Sequence, residues 1–576
     1  MNFLSAEELS PFVNTSERIQ SMTEPHPNIR PLRAAGLWRW VLALTIGSII
    51  PLLIGCAAAT GRGASEAQIS AGRLQGKAQS GVLRFLGIPF AAAPVDSLRF
   101  RAPQPAAAWA GTRDAIEFGS KCAQLKIDAG AIGILGEEDC LYLNVYRPND
   151  DSRNRPVLFW IHGGGRRVGD GRRDVSAFVR ETGSVVVSIQ YRLDHLAFFA
   201  HPALTAEDPT RLASGNYGFE DAIAALHWVR DEIGAFGGDR DRITIAGLSG
   251  GGTMVCGLLV SPRAAGLFHR AIIQSGGGCW FPTQPIALAE AWGTRAAEKL
   301  GCSNASSVPD CLRKTPVAEF YALGSTVENP FTPGSVEWSA SQPILGGRSG
   351  HLVDGSLFPR SWPDAFSIGA FHQVPLMIGT TEHEGRRVYG ELMYQMGARE
   401  ITGNEYVQAL MGLLGSHKLA SRAAERFPVG DPAMESFTDF ATDAHYTCPH
   451  AELAAAAARF APTWLYQFKV AGPRKSDRIE LGAYHGADTE LLFGDGFANG
   501  WTPEQVRASK RLREYVGRFM GAGDPNQPGS TSWPTYASTA PQQHLELNDD
   551  PRAATGLRER ACRFLREIQW EMLPTH

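Results

Sequence analysis

The segment RITIAGLSGGGTMVCGLLVSP, residues 242–262, places one serine between two apolar runs. The first run, ITIAGL at 243–248, is short and rich in β-branched residues, which favours a buried strand. The second, TMVCGLLV at 253–260, suits a buried helix. Ser249 lies between them in the pattern Gly-x-Ser-x-Gly. Strand, tight turn and helix together predict a nucleophile elbow, which exposes the serine Oγ at the end of the strand.

A second motif supplies what a serine nucleophile needs. Glycine-flanked serines also occur in flexible loops, so the elbow requires support from elsewhere in the chain. Residues 158–165, LFWIHGGG, end a strand-like run with three consecutive glycines. Backbone N–H groups there are free to turn toward a ligand, and HGGG directly after a strand is typical of the oxyanion hole of esterases. The alternative is a flexible turn.

Several apolar runs lack the in-and-out alternation of a half-exposed strand. This composition is typical of strands that are buried on both faces of a parallel sheet. The runs are VLFWIH (157–162), SVVVSIQY (184–191), ITIAGL (243–248), AIIQSG (271–276), VPLMIGT (374–380) and TWLYQF (463–468).

An amphipathic helix is predicted between two of these runs, at 219–236. Apolar residues recur there every three or four positions and form one stripe. They are Phe219, Ile223, Leu226, Val229, Ile233 and Phe236. Strands that alternate with helices indicate an α/β fold. A further helix is predicted at 556–572, and the Pro-, Gly- and Ser-rich region 281–370 is predicted to hold insertions above the sheet, where a substrate pocket would form.

Composition excludes several classes of protein. The chain has 576 residues, 44% of them hydrophobic, and can bury a large core. A net charge of −4 argues against a nucleic-acid binder. No repeat indicates a solenoid. Neither CxxC nor HExxH occurs, so we predict no metal site and no cofactor.

The N-terminal region predicts export. An apolar run at 40–55 has the length of a signal sequence and ends at Cys56 in a lipobox-like Leu-Ile-Gly-Cys. A lipidated Cys56 would attach a bacterial lipoprotein to a membrane; the alternative is an ordinary signal cleaved after the alanines at 57–59. Met22 is an alternative start of translation, because residues 1–30 are long and polar for the n-region of a signal sequence. The expected location is periplasmic or extracellular. The predicted divisions are a signal or anchor segment at 1–56, a linker at 57–68 and one catalytic domain at 69–576.

From about residue 70 onward, four sequence blocks together resemble a bacterial member of the type-B carboxylesterase family, which includes the cholinesterases. The resemblance implies an α/β-hydrolase fold, with a mostly parallel central sheet, flanking helices and large insertions. It also implies hydrolysis of small carboxylic esters through an acyl-enzyme. The blocks are RFLGIPFAAAPVDSLRFRAPQP (84–105), EEDCLYLNVYRP (137–148), NYGFEDAIAALHWVRDEIGAFGGDRDRITIAGLSGGG (216–252) and AIIQSGG (271–277).

The resemblance also implies partners for Ser249. The family's acid lies in a block that here reads IGTTEHEG, which implies Glu384, with Glu382 as a nearby rim carboxylate. Its base lies in a block that here reads GAYHGADTELLFG, which implies His485. The order Ser, Glu, His along the chain is the one expected for this fold. The implied oxyanion donors are the backbone N–H groups of Gly164, Gly165 and Gly250.

Eight cysteines follow Cys56, and an exported chain favours disulfides. The resemblance implies the pairs Cys122–Cys140, Cys302–Cys311 and Cys448–Cys562. Cys256 lies in the apolar run MVCGLLV. We expect it to be a small buried hydrophobic residue rather than half of a disulfide.

The chain departs from the family around the predicted site. Leu248 stands where the family usually has glutamate, and Gly250 where it has alanine. The segment between Cys122 and Cys140 contains no tryptophan to bind a quaternary ammonium group. Arginines replace the aromatic residues that usually follow the glycine motif and the acid. They are Arg166, Arg167, Arg386 and Arg387.

These arginines suggest a substrate with carboxylates near the scissile ester, because guanidinium pairs well with carboxylate. Esters of di- or tricarboxylic acids fit, and the tricarballylic esters of fumonisin-type toxins are one such class. Alternatively, the arginines face solvent or pair with Asp170, Asp174 or Glu382. The other candidate functions are a broad-specificity carboxylesterase for neutral small esters, a lipase, and a non-catalytic cholinesterase-like binding protein.

Overall fold

The computed structural model describes eight stretches of the chain. They are 65–128, 131–281, 283–304, 306–325, 351–391, 400–494, 500–537 and 542–572. The predicted signal or anchor segment 1–56, with Met22 and Cys56, lies outside them. Within the described stretches, no helix has both the length and the apolar character that a membrane crossing requires.

The strands of the described chain are as follows. They are β1 Glu66–Ile69, β2 Gly72–Gln75, β3 Lys77–Gln79, β4 Val82–Pro89, β5 Thr112–Asp114, β6 Gln124–Asp128, β7 Ala131–Leu135, β8 Tyr142–Pro148, β9 Arg155–Ile161, β10 Val185–Ile189, β11 Gly238–Leu248, β12 Arg270–Gln274, β13 Gln284–Pro285, β14 Leu352–Val353, β15 Leu376–Thr381, β16 Thr463–Phe468, β17 His544–Leu547 and β18 Arg552–Ala554.

One eleven-stranded sheet forms the centre of the molecule, in the order β18-β17-β16-β15-β12-β11-β9-β10-β8-β4-β3. The strands from β17 to β10 in that order run parallel, and the strands at both edges pair antiparallel. The apolar runs of the sequence became β9, β10, β11, β12, β15 and β16. Their residues are buried because helices cover both faces of a parallel sheet.

The α-helices of the described chain lie mostly between these strands. They span Ser176–Thr182, Asp194–Phe198, Pro202–Ala206, Tyr217–Glu232, Gly250–Val260, Ile286–Lys299, Val308–Lys314, Val317–Ser325, Trp362–Ser367, Tyr406–Leu414, His417–Arg426, Ala433–Thr442, Cys448–Ala457, Ala487–Phe493, Pro503–Ala522 and Glu559–Met572. The predicted stripe of Tyr217–Glu232 is buried and continues into a 3-10 turn, Ile233–Phe236.

Four disulfides cross-link the described chain. Three join the pairs that the resemblance implied: Cys122–Cys140, Cys302–Cys311 and Cys448–Cys562.

The expectation for Cys256 was wrong, because it forms a disulfide with Cys279. The helix Gly250–Val260 follows β11, and the turn Gly277–Trp280 follows the neighbouring strand β12. This brings the two Cα atoms to 5.7 Å, and both residues are buried in the apolar core. A buried, apolar setting therefore did not exclude a bridge.

Candidate active site

Loops after neighbouring strands carry the candidate residues. β9, β11, β12, β15 and β16 are parallel, so their carboxyl ends lie at the same edge of the sheet. The HGGG motif follows β9, Ser249 follows β11, and the acid and base follow β15 and β16. The sheet thus gathers residues that are distant in sequence.

Ser249 occupies the sharp turn between β11 and the helix Gly250–Val260. Its φ is 57° and its ψ is −122°, a backbone conformation that residues other than glycine rarely adopt. Two backbone hydrogen bonds hold Ser249 in this strained conformation. The Ser249 N–H donates to the carbonyl of Gln274 at 2.8 Å, and its carbonyl accepts from the Thr253 N–H at 2.9 Å.

The glycine loop after β9 packs directly on this turn. A methyl group placed on Gly163 would lie 3.2 Å from Cβ of Ser249. One placed on Gly250 would lie 2.9 Å from the backbone nitrogen of Gly165. Within the described chain, the N–H groups of Gly164 and Gly165 donate to no backbone carbonyl. They are therefore available to a ligand beside the serine.

Glu384 and His485 lie together in the interior. Nδ1 of His485 is 2.5 Å from Oε2 of Glu384, and both side chains are buried. The loop with His485 also reaches the serine turn: a methyl group on Gly486 would lie 3.1 Å from Cδ2 of Leu248, the residue before Ser249.

The Glu384 carboxylate is held ionised by its neighbours. Burial would raise its pKa, but the charge and hydrogen bond of His485 lower it, as do two further donors. Ser275 Oγ donates to Oε1 at 2.6 Å and the Thr381 N–H donates to the same oxygen at 2.7 Å. Sequence reasoning missed the role of Ser275, although the residue lies in the AIIQSGG block.

The chain matches known proteins over most of its length. The profile described as "Carboxylesterase family" matches residues 63–565. Carboxylesterase 3 of Homo sapiens is 31% identical over 90% of this chain and 94% of its own. Pyrethroid hydrolase Ces2a of Mus musculus is 31% identical over 84% of this chain and 87% of its own. The chain belongs to the carboxylesterase family.

Solved structures agree. A PNB esterase superposes with a TM-score of 0.72 at 28% identity, covering 87% of this chain and 99% of its own. This carboxylesterase has the α/β-hydrolase fold and is a carboxylic ester hydrolase.

Buried aromatic and imidazole rings lie beside Glu384 and His485 of this carboxylesterase. The ring of Tyr446 lies 4.9 Å from that of His485, and His445 stacks on Tyr446 at 4.7 Å. Burial lowers the pKa of His445 to about 3 and that of His450 to about 4, so both imidazoles stay neutral. No motif in the sequence singled out these two histidines.

Arg386 and Arg387, which follow the acid, contact the protein itself. Arg386 donates to the Glu480 carbonyl at 2.9 Å, and its Nη2 lies 3.4 Å from Glu435. Its guanidinium is therefore paired with groups of the protein itself. Arg387 donates to the backbone carbonyl of His485 at 2.8 Å.

Arg166 and Arg167, which follow the glycines, differ from each other. Arg167 is half exposed, and its Nε lies 3.2 Å from Asp194. Arg166 has its guanidinium carbon 5.4 Å from the centre of the Phe198 ring. Within the described chain, its buried Nη1 has no hydrogen-bond partner.

The carboxylates that were considered as alternative partners pair with other residues. Asp170 pairs with Lys121 at 2.6 Å, Asp174 with Arg84 at 3.7 Å and Glu382 with Lys469 at 3.4 Å. Within the described stretches, no group of three or more His, Cys, Asp or Glu side chains offers a metal site.

Proposed function

We propose that Ser249, His485 and Glu384 are the catalytic triad of this ester hydrolase. His485 takes the proton of Ser249 Oγ as the serine attacks the ester carbonyl, and returns it to the departing alcohol. Glu384 fixes the ring orientation and stabilises the imidazolium. Water then hydrolyses the acyl-enzyme. The observation that carries the proposal is the 2.5 Å contact between His485 Nδ1 and Glu384, beside a strained serine turn.

The backbone N–H groups of Gly164, Gly165 and Gly250 are the proposed oxyanion donors. Their support is the close packing of the glycine loop on the residue after Ser249. Donors fixed before the reaction stabilise the negative charge that develops on the carbonyl oxygen.

Replacement of the nucleophile tests the triad. Ser249→Ala is expected to lower kcat by roughly four orders of magnitude or more, because the acyl-enzyme no longer forms. A fluorophosphonate probe, followed by peptide mass spectrometry, should label Ser249 in the wild type only. Activity retained in Ser249→Ala would contradict the proposal and point to another nucleophile. A wild type that takes no label and hydrolyses no ester would favour a non-catalytic binding protein.

The proposed substrates are esters of di- or tricarboxylic acids, such as tricarballylic esters of the fumonisin type. Leu248 in place of glutamate removes a negative charge beside the nucleophile, and Arg166 adds a positive one. Arg167, Arg386 and Arg387 contribute less, since each contacts a carboxylate or carbonyl of the protein.

Paired substrates separate this substrate class from the alternatives. Monoethyl succinate should show a higher kcat/KM than ethyl butyrate, which lacks the free carboxylate. The opposite preference would favour a broad-specificity esterase for neutral esters. A sharp rise in activity above the solubility limit of a long-chain ester would favour a lipase.

Export is proposed as well. Four disulfides in the described chain support an oxidising compartment. Metabolic labelling with a fatty acid should mark the wild type but not Cys56→Ser if Cys56 anchors the protein; a wild type that is exported without label would support simple cleavage.

A further inference from the structure

Arg166 is a cation without a counter-ion beside the oxyanion loop. Within the described chain it forms no ion pair, and its buried Nη1 has no hydrogen-bond partner. Burial lowers the pKa of its guanidinium to about 10, yet the group stays charged at neutral pH. A buried charge is costly unless an anion or several hydrogen bonds compensate it. This position therefore favours an anionic ligand.

His351 is a second polar side chain without a hydrogen-bond partner in the described chain. Its side chain is buried, with the residue only 5% exposed, and its ring stacks on Trp362 with 3.4 Å between the ring centres. Neither ring nitrogen has a hydrogen-bond partner in the described chain. Buried polar atoms are normally paired, so two such nitrogens indicate a ligand.

A row of buried aromatic rings lies between the two groups. Arg166 lies over Phe198, whose ring is 6.0 Å from that of Phe219; the Phe219 ring is 5.7 Å from that of Trp362, on which His351 stacks. The charge of Arg166 also reaches His351: after burial, it is the next cause that lowers the pKa of this imidazole.

The acyl side of the proposed triad is the side away from the departing alcohol. The departing alcohol must lie near His485, which protonates it. Arg166 directly follows Gly164 and Gly165, whose N–H groups are proposed to face the carbonyl oxygen. A methyl group on Gly165 would meet no atom within 4 Å, so there is open space beside the loop.

We infer that Arg166 and His351 form a subsite for a free carboxylate on the acyl part of the substrate. The guanidinium donates to the carboxylate oxygens, and the imidazole donates from one ring nitrogen. The inference rests on the proposed ester hydrolysis at Ser249 and narrows its substrate to half-esters of dicarboxylic acids or partial esters of tricarboxylic acids.

Three small esters test the subsite: monoethyl glutarate with a carboxylate on the acyl part, ethyl pentanoate with none, and O-butyryl glycolate with a carboxylate on the alcohol part. The variants are Arg166→Met, which keeps chain length, and His351→Phe, which keeps the stack on Trp362. Each should lower the ratio of kcat/KM for monoethyl glutarate to that for ethyl pentanoate by roughly 10- to 100-fold. The ratio of kcat/KM for O-butyryl glycolate to that for ethyl pentanoate should stay unchanged.

Arg507→Met is the matched control, because this exposed arginine of the helix Pro503–Ala522 pairs with Asp549, and neither residue belongs to the candidate site. It should keep both ratios to ethyl pentanoate. Free glutarate should inhibit the wild type competitively and both subsite variants less. Equal losses on all three esters, or unchanged glutarate inhibition, would overturn the subsite while leaving the triad intact. Failure of the proposed triad would show differently, as activity that is retained in Ser249→Ala.

Discussion

Gly250 sets how closely the glycine loop approaches Ser249, the proposed nucleophile. A Cβ atom there would lie 2.7 Å from the backbone nitrogen of Arg166 and 2.9 Å from that of Gly165. Both atoms belong to the backbone and cannot rotate away. The alanine that the family usually carries at this position therefore does not fit this loop.

Gly250→Ala should consequently lower kcat by roughly 10- to 100-fold, because a shift of about 1 Å misplaces the proposed oxyanion donors. Steady-state kinetics on ethyl butyrate would measure it. Gly234→Ala is the control, since a methyl group there meets no atom within 4 Å. Full activity in Gly250→Ala would contradict the tight packing of loop and turn.

Ser275 stabilises the ionised acid. The folded-state pKa of Glu384 is lowered, so its contribution to stability is present above the unfolded pKa and is lost as pH falls through the folded pKa. Ser275→Ala removes one donor, which raises that folded pKa. We expect stability to begin falling at a higher pH, and kcat to fall about tenfold, which is the effect of losing roughly 1.4 kcal/mol.

Thermal unfolding between about pH 3 and 6 would show the shift. Ser184→Ala is the matched control, because Ser184 is equally buried and its hydroxyl has no partner in the described chain. The same acid profile in both variants would mean that Ser275 does not act through the carboxylate.

Sequence predicted some of the site from local pattern alone. Ser249 and the glycines lie in short motifs next to strands, and the residues of such a motif are enough to predict the local turn that they form. Glu384 and His485 needed the family resemblance, because nothing local distinguishes them from other carboxylates and imidazoles. The partner of Arg386 could not be predicted, since Glu435 lies 49 residues away in sequence and meets it only in the fold.

At the scale of elements, continuous apolar runs predicted the parallel strands well, because a strand that is buried on both faces is made almost entirely of apolar residues. Antiparallel edge strands such as β3 and β18 were not predicted: they are short and exposed, so hydrophobic pattern says little about them. The bridge from Cys256 was missed for a related reason, because its partner comes from a turn that is placed by strand pairing.

The disulfide Cys256–Cys279 ties the helix Gly250–Val260, which follows Ser249, to the turn after β12. Its loop spans 23 residues, so replacing both cysteines by alanine should lower the free energy of unfolding by about 3 kcal/mol. Chemical denaturation would measure this. An unchanged midpoint would mean that packing alone holds the helix in place.

At the scale of the whole molecule, Cys448–Cys562 fastens the C-terminal helix Glu559–Met572 to Cys448–Ala457. It closes 114 residues, so its loss should cost more, about 5 kcal/mol on loop entropy. Denaturation of the paired Cys448→Ala, Cys562→Ala variant beside the Cys256→Ala, Cys279→Ala variant gives the ranking. The reverse order would mean that strain or residual structure, not loop length, decides.

Arg387 donates to the main-chain carbonyl of His485 and so helps to hold the proposed base in place. A laboratory search for altered selectivity that begins by randomising Arg387 would also loosen the proposed base, and slower chemistry would offset any gain in the range of substrates. Arg167, half exposed and tied to Asp194, is the safer place to begin such a library.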